Sequence, residues 1–567
     1  MLVASGLIPA LAGQFADADA YMRLLRVRVL WESGNWFDAR IPDANAPFGL
    51  LVNWSRPLDA LMLLLAAPLA PLLGFERALF WAGMVISPVL LLLSLPVWRW
   101  AVAGLVPEHL FVPMIAAMLL MPQLAMIYAA ARPDHHSLQA LLFILQLGLV
   151  LRLADGRRGL TAAAAAGAVQ GLALWVSVEA LMAGLAFGGA LALVWLCWGG
   201  ATLRHMTVYG AALTVTLAAA LLIERGADWA VVYYDRVSVV HLWVAAALTA
   251  GLLAALAIER RRGLGLGLAG VVTVGLVQAV YPDFFRGPFA AYPAEALLWA
   301  PMTGEMQGLW PADRTIAGHL LLQVGPVLLV LPGLVRKVWS GTPDKAARSL
   351  VLLTGLFLFI ALSLYQMRWA SYAQSLALPA WIATVAALWT WRAPWRSIAV
   401  GGFVVVPLLA AAGLASSASP PPAAAASSSG EVCDWPRLWD WLAERRRATG
   451  ETTLLSYFYG GPQLAWHTGY RVVGTPYFDI EALGRPGRDG ITDTNRVFQG
   501  DAEQSRALLA ARRVDLVVVC PGESEPRILY GTAPETFHTR LASGDIPVWL
   551  ERLTLPPGLE GFRVYRH

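Results

Sequence analysis

The stretch 131-ARPDHHSLQALLFILQLGLVLRLADGRR-158 leads from an acid and two histidines, through an apolar run, into a basic cluster. An apolar helix of about 20 residues crosses a hydrocarbon core of roughly 30 Å, and residues 135–153 are long enough. Basic residues mark the cytoplasmic end of such a span. Arg152, Arg157 and Arg158 therefore place the far end inside, and Asp134 and the histidines outside. A metal-ligand cluster at the edge of a greasy helix asks for a reason, and the rest of the sequence supplies one.

The chain has 567 residues, 57% hydrophobic and 14% charged, with a mean hydropathy of +0.57. A soluble domain of this size carries more charge, so the fold class is a polytopic α-helical membrane protein. The net charge of +4 says little about partners, because the basic residues set topology, and nothing points to nucleic acid. Apolar runs predict spans at 1–13, 76–98, 109–130, 135–153, 160–178, 181–199, 206–224, 238–258, 264–281, 316–335, 348–366, 372–391 and 397–415, about thirteen helices. The first is too short to span comfortably and reads as a truncated helix or as a start lying upstream; no cleavable signal peptide is evident. The run 57–75 holds prolines and is placed at the external interface.

That choice follows from the loops. Arg152 with Arg157 and Arg158, Arg204, Arg260 to Arg262, Arg336 with Lys337, Lys345 and Arg348, and Arg392 with Arg396 all fall on one side, which the positive-inside rule makes cytoplasmic. Arg99 joins them only if 57–75 does not span. The other side receives 14–75, the 131–135 junction, 282–315 and everything after 415. Residues 1–415 thus form the membrane domain, 416–430 a Pro/Ala/Ser linker, and 431–567 a small external α/β domain. In that domain 437–449 and 502–512 read as helices, and 453–460 and 514–520 as strands. Held outside a bacterial inner membrane, in the periplasm, Cys433 and Cys520 are reasonable disulfide partners. Cys197 lies in an apolar run and is expected to be inert.

Four groups of polar residues reach the external side. Asp134 and His136, at a helix start, can share one divalent cation; the plain alternative is a solvated, capped helix. Asp17 and Asp19 form an Asp-x-Asp after the first apolar run. Glu305 lies among apolar residues in the second long loop, and Arg368 at the end of a span, where it either snorkels or clamps phosphate. Glu179 reads as a turn between two spans and receives no role. Together the four groups describe one site for a lipid-linked phosphate leaving group. A metal neutralises its charge, an arginine holds it, and a carboxylate activates the acceptor. The oxygen-rich ligand set favours Mg²⁺ or Mn²⁺. A transporter would place its polar groups near the midplane on broken helices, with repeat symmetry, and neither feature is visible here. A non-catalytic protein that binds lipid-linked sugar is the remaining competitor.

These motifs, in this order and sidedness, resemble the catalytic subunit of oligosaccharyltransferases, a GT-C glycosyltransferase family. The resemblance covers most of the chain. The string 19-DAYMRL-24 is similar to the family's first acidic motif, which implies that Asp19 is a metal ligand and catalytic carboxylate, with Asp17 as fallback. The string 134-DHH-136 resembles the archaeal second motif, implying metal ligation by Asp134 and His136. Glu305 in 303-TGEMQ-307 corresponds to the loop glutamate near the acceptor. Arg368 in 368-RWASY-372 corresponds to the arginine on the donor phosphate. The resemblance implies an inverting, metal-dependent transfer from a polyprenyl-(di)phosphate-linked sugar to a periplasmic acceptor.

One departure matters. The family's acceptor-reading Trp-Trp-Asp-Tyr-Gly is represented by 456-SYFYG-460, keeping Tyr459 and Gly460. Phe458, in the aspartate's place, accepts no hydrogen bond from a hydroxyl, so selectivity for a Ser/Thr sequon is expected to be lost. Glycosyl transfer is the firmer expectation, with the acceptor an asparagine in another context or a hydroxyl on a protein, lipid or polysaccharide.

Overall fold

A computed structural model describes the whole chain except residues 1–9, 12, 157–158, 291, 294–302, 311–313, 417–432 and 531–534. Most of the first expected span, Arg157, Arg158 and nearly all of the linker lie outside the described residues. The elements are α1 (Ala18–Ser33), α2 (Pro57–Ala66), α3 (Phe75–Ala101), α4 (His135–Ala154), α5 (Leu160–Val176), α6 (Ala180–Trp198), α7 (Thr202–Arg225), α8 (Val239–Leu256), α9 (Arg262–Val280), α10 (Arg314–Leu328), α11 (Leu331–Ser340), α12 (Pro343–Tyr365), α13 (Ala370–Trp389) and α14 (Trp395–Ser416). Among the described residues eight helical stretches are long and apolar enough to cross a membrane.

One expected span is broken, and proline breaks it. The run 109–130 is not one helix but two short ones, Phe111–Ala117 and Pro122–Met126. Pro122 has no N–H to continue a helix, and it turns Met121 out of the helical region, with φ −110° and ψ 87°. The run 316–335 is borne out as part of the spanning stretch Ile316–Ser340, in which α10 gives way to α11 with Pro332 in the first turn of α11. Residues 57–75 form the ten-residue α2 and one further turn, Ala70–Leu73, too short to span, as the loop charges required.

Helices in a bilayer gain little from apolar burial and rely on close contact between small residues. The α5–α7 pair shows this. A Cβ on Gly167 would meet the Tyr209 carbonyl oxygen at 2.1 Å, and one on Gly171 would meet Thr216 at 2.8 Å. The α4, α6 and α13 helices all begin at one end of the bundle, where α12 ends, and this end carries the polar residues.

The C-terminal region contains α15 (Trp435–Thr449), α16 (Gly461–Thr468), α17 (Gly490–Gln499) and α18 (Ala502–Ala511) around β1 (Thr453–Leu455), β2 (Arg471–Val472), β3 (Leu516–Val519), β4 (Glu551–Arg552) and β5 (Arg563–Arg566). The sheet order is β2-β1-β3-β5-β4, parallel across the first three strands and antiparallel beyond. The strand expected over 453–460 stops at Leu455, because the chain turns at Phe458–Gly460 into α16. Cys433 and Cys520 are joined in a disulfide, with Cα atoms 6.4 Å apart. Met22 and Leu25 of α1, with Ile41, Leu50 and Val52 after it, pack into this region's own apolar core. Arg512 reaches across to the Asn45 side chain at 2.8 Å.

Candidate active site

Backbone contacts assemble the polar end. Ala16 N–H donates to the Ala131 carbonyl at 3.0 Å, and Ala131 N–H donates to Met84 on α3 at 3.0 Å. Ala131 takes a left-handed φ of 58°, uncommon for a residue with a Cβ. This junction sets the start of α1 against the start of α4. Asp17 caps α1, accepting from Ala20 N–H at 3.0 Å, and Asp134 occupies the same position on α4. Acids are favoured there by the positive end of the helix. The Glu305 loop is pinned to the Arg368 segment by Met367 N–H on the Gln307 carbonyl, 2.8 Å, and by Leu309 N–H on the Ser363 carbonyl, 3.2 Å.

Two groups result. In the first, Arg132 lies among three carboxylates, with Nε 3.5 Å from Asp17 Oδ2 and Nη2 3.5 Å from Asp134 Oδ2 and 3.3 Å from Glu305 Oε2. In the second, His136 Nε2 faces Asp134 Oδ2 at 3.8 Å, and its Nδ1 faces Glu179 Oε2 at 3.8 Å. Glu179 Oε1 pairs with Arg368 Nη1 at 2.7 Å. Arg368 Nε also donates to Gln366 at 3.2 Å. Asp134 belongs to both groups and joins them.

The expected residues are therefore collected, with Asp19 placed apart from the others. Its carboxylate accepts from the Tyr477 hydroxyl of the C-terminal region, whereas Asp17 is the one that meets Arg132. Burial, with Asp17 and then Asp134 alongside, pushes the Asp19 carboxyl up to about 8. Burial raises Asp17 as well, against the pull of Arg132. Asp134 goes the other way: burial works against its charge, but His136, His135 and Arg132 hold it well below the usual carboxylate range. Burial disfavours the Arg132 charge too, yet Asp134, Asp17 and Glu305 keep it firmly protonated.

Asp134, His135 and His136 offer three ligand atoms within 4.8 Å of one another, a donor set suited to a divalent cation. Three carboxylates, Asp17, Asp134 and Glu305, share the Arg132 guanidinium, and a divalent ion would offset that excess. The residues fit a metal. His135, Arg132 and Glu179 were not picked out from the sequence. Glu179 carried a usable signal, because an acid bounded by apolar helices is functional more often than not.

Tyr459 Oη lies 2.9 Å from Thr303 Oγ1, two residues before Glu305. Phe458 is fully buried against Phe478 and Ile491, and Gly460 leads into α16.

No family model matches the sequence, and no curated protein matches it. Solved structures do. The archaeal oligosaccharyltransferase AglB of Archaeoglobus fulgidus, in complex with an inhibitory peptide and a dolichol-phosphate, superposes with a TM-score of 0.68 at 13% identity, over 93% of this chain and 68% of that one. The fold is that of an oligosaccharyltransferase. The same enzyme tethered to an acceptor peptide containing the NVT sequon gives 0.62 at 14% identity, over 93% and 67%. Its complex with Zn and sulfate gives 0.60 at 13% identity, again over 93% and 67%. The expected polytopic helical membrane architecture with a small C-terminal sheet region is thus the one observed.

Proposed function

We propose that this protein is a metal-dependent glycosyltransferase that moves a sugar or oligosaccharide from a polyprenyl-(di)phosphate-linked donor to an acceptor on the periplasmic face of a bacterial inner membrane. The observation that carries the reading is the meeting of the starts of α1, α4, α6 and α13 with the Glu305 loop, which puts Asp17, Arg132, Asp134, His136, Glu179, Glu305 and Arg368 in one chain of contacts. The dolichol-phosphate, acceptor peptide and Zn in the AglB structures support a lipid-linked donor and a divalent metal.

Asp134 and His136, joined by Asp19, hold the cation in this reading, and Mn²⁺ or Mg²⁺ suits them. A bound cation supplies Lewis-acid neutralisation of the leaving phosphate. Arg368 holds the phosphate through its planar fork. Glu305 supports the acceptor, and Asp19 orients its nucleophile, with transfer inverting as in the resembling family. Tyr477 fixes the Asp19 carboxylate by its hydroxyl, and the Tyr459–Thr303 contact ties the C-terminal region to the Glu305 loop.

A hydroxyl acceptor, on a protein, lipid or polysaccharide, is favoured over a sequon asparagine by one observation. Phe458 turns into an apolar cluster, so the aspartate's position offers no carboxylate to read a Ser/Thr side chain. The test is transfer in purified membranes from a radiolabelled lipid-linked sugar pool, with the native protein, Asp19→Ala and His136→Ala, with and without Mn²⁺. The expected result is metal-dependent transfer that both substitutions reduce by at least 10²-fold, about the effect of losing one transition-state-stabilising group. Undiminished transfer by both variants would sink the site, and the labelled product identifies the acceptor.

A further inference from the structure

We infer that Glu179 is a positioning residue shared between the cation site and the donor-phosphate arginine, so that Arg368 governs how strongly His136 holds the metal. The inference rests on reading Asp134 and His136 as metal ligands and goes beyond it by adding a carboxylate that no motif marks.

The geometry has three parts. His136 presents Nε2 towards Asp134 and Nδ1 towards Glu179, each 3.8 Å from a carboxylate oxygen. A metal-ligating histidine almost always gives its second ring N–H to a carboxylate or carbonyl, which fixes the tautomer and raises the basicity of the ligating nitrogen. Glu179 Oε2 is placed to receive that N–H. It is buried and has no hydrogen-bond partner, a costly state for a carboxylate oxygen unless a donor completes it. The other oxygen, Oε1, is held by Arg368 Nη1 at 2.7 Å. One carboxylate therefore serves a histidine and an arginine from opposite sides.

A carboxylate has one charge to divide. While Arg368 is paired with Glu179, it draws negative charge away from His136 and weakens the imidazole as a ligand. When the guanidinium turns to the donor's phosphate, a doubly hydrogen-bonding anion that matches its fork, Glu179 is left to His136 alone. Donor arrival thereby strengthens the histidine at the moment the leaving phosphate needs a firmly held cation. No proton or electron changes owner; only the hydrogen-bond partners of Glu179 change.

Mn²⁺ titration of the purified full chain in detergent tests this without donor or activity, using Glu179→Gln, Arg368→Gln and the double variant. Melting in EDTA checks that each is folded. The carboxamide keeps the shape of Glu179 and removes its charge, so Mn²⁺ binding is expected to weaken by about 10- to 100-fold. Arg368→Gln is expected to tighten Mn²⁺ several-fold in the native background and to change nothing when Glu179 is already Gln. Should Glu179→Gln fail to fold, Glu179→Asp keeps the charge but draws the oxygen back from His136, and weaker Mn²⁺ binding is again expected. Binding by the Glu179 variant equal to native would overturn the inference. So would equal tightening by Arg368→Gln in both backgrounds, which is simple repulsion through space. Weakening by both single variants would also overturn it, because it describes an ion pair that only holds the fold. A native protein that binds no Mn²⁺ would instead remove the metal-site reading beneath it.

Discussion

Single residues in this protein are decided by where their charge is put. Asp59 is fully buried and carries three arginines, Arg23 Nη1 at 2.9 Å, Arg26 Nε at 2.7 Å and Arg56 Nη1 at 3.2 Å. Burial opposes its charge, yet Arg26, Arg23 and Arg56 hold its carboxyl below the usual range. It fastens α1 to α2 and so fixes the helix that bears Asp19. Glu525 shows the reverse case. Burial pushes its carboxyl from 4.5 up to about 8, although the Tyr459 and Phe458 backbone N–H groups oppose the shift. Between those two pH values the folded protein keeps a proton that the unfolded chain has released, so stability falls as pH rises through the window. Glu525→Gln removes that titration and still accepts from Tyr459 N–H. Its Tm, measured from about pH 5 to 8, is expected to fall less steeply than that of the native protein.

Legibility at this scale followed sequence context. Asp134 and His136 stood out because they interrupt a long apolar stretch, and Glu305 and Arg368 because each is a charge set beside apolar residues, which a family pattern then matched. Arg132 went unread although it sits two residues from Asp134, since a basic residue beside a span has an ordinary explanation in snorkelling. The division of labour between Asp17 and Asp19 was also out of reach. It depends on Tyr477, 458 positions away, and no local pattern reports such a neighbour.

Elements were easier to read than contacts. Continuous apolar runs located most of the helices, because length and hydropathy are what the bilayer selects. The failure at 109–130 came from a proline in an otherwise apolar segment, where composition still reads as a span but the backbone cannot continue. Interhelical closeness was hidden altogether, since a glycine in an apolar run looks alike whether or not a neighbour touches it. The α5–α7 crossing makes the difference measurable. Gly167→Ala sets a methyl against the Tyr209 carbonyl, and overpacking of this kind costs roughly 1–3 kcal/mol. Unfolding in detergent is expected to show that loss, with Gly188→Ala, where a Cβ meets nothing within 4 Å, as the tolerated control.

For the molecule as a whole, the disulfide and the shared core decide how the parts hold together. Cys433–Cys520 spans 87 residues of sequence, and closing a loop of that size is worth about 2–5 kcal/mol. Chemical denaturation of Cys433→Ser/Cys520→Ser is expected to show a loss in that range, and reductant is expected to destabilise the native protein and leave the variant unchanged. The disulfide was legible once the loop charges were taken to place both cysteines outside. The docking of α1 and the loop after it into the C-terminal core was not, because it joins segments with no common pattern.

That docking has a consequence for biosynthesis. Asn45 waits for a partner made 467 positions later, and Asp19 for one made 458 positions later. Contacts so distant in sequence form late. During translation α1 therefore emerges with Met22 and Leu25 uncovered, a surface that invites chaperones or misassembly. The ribosome has nearly finished before Asp19 acquires its tyrosine, so a stalled or prematurely released chain lacks that part of the candidate site, and on the proposed function incomplete copies in the membrane would be inactive.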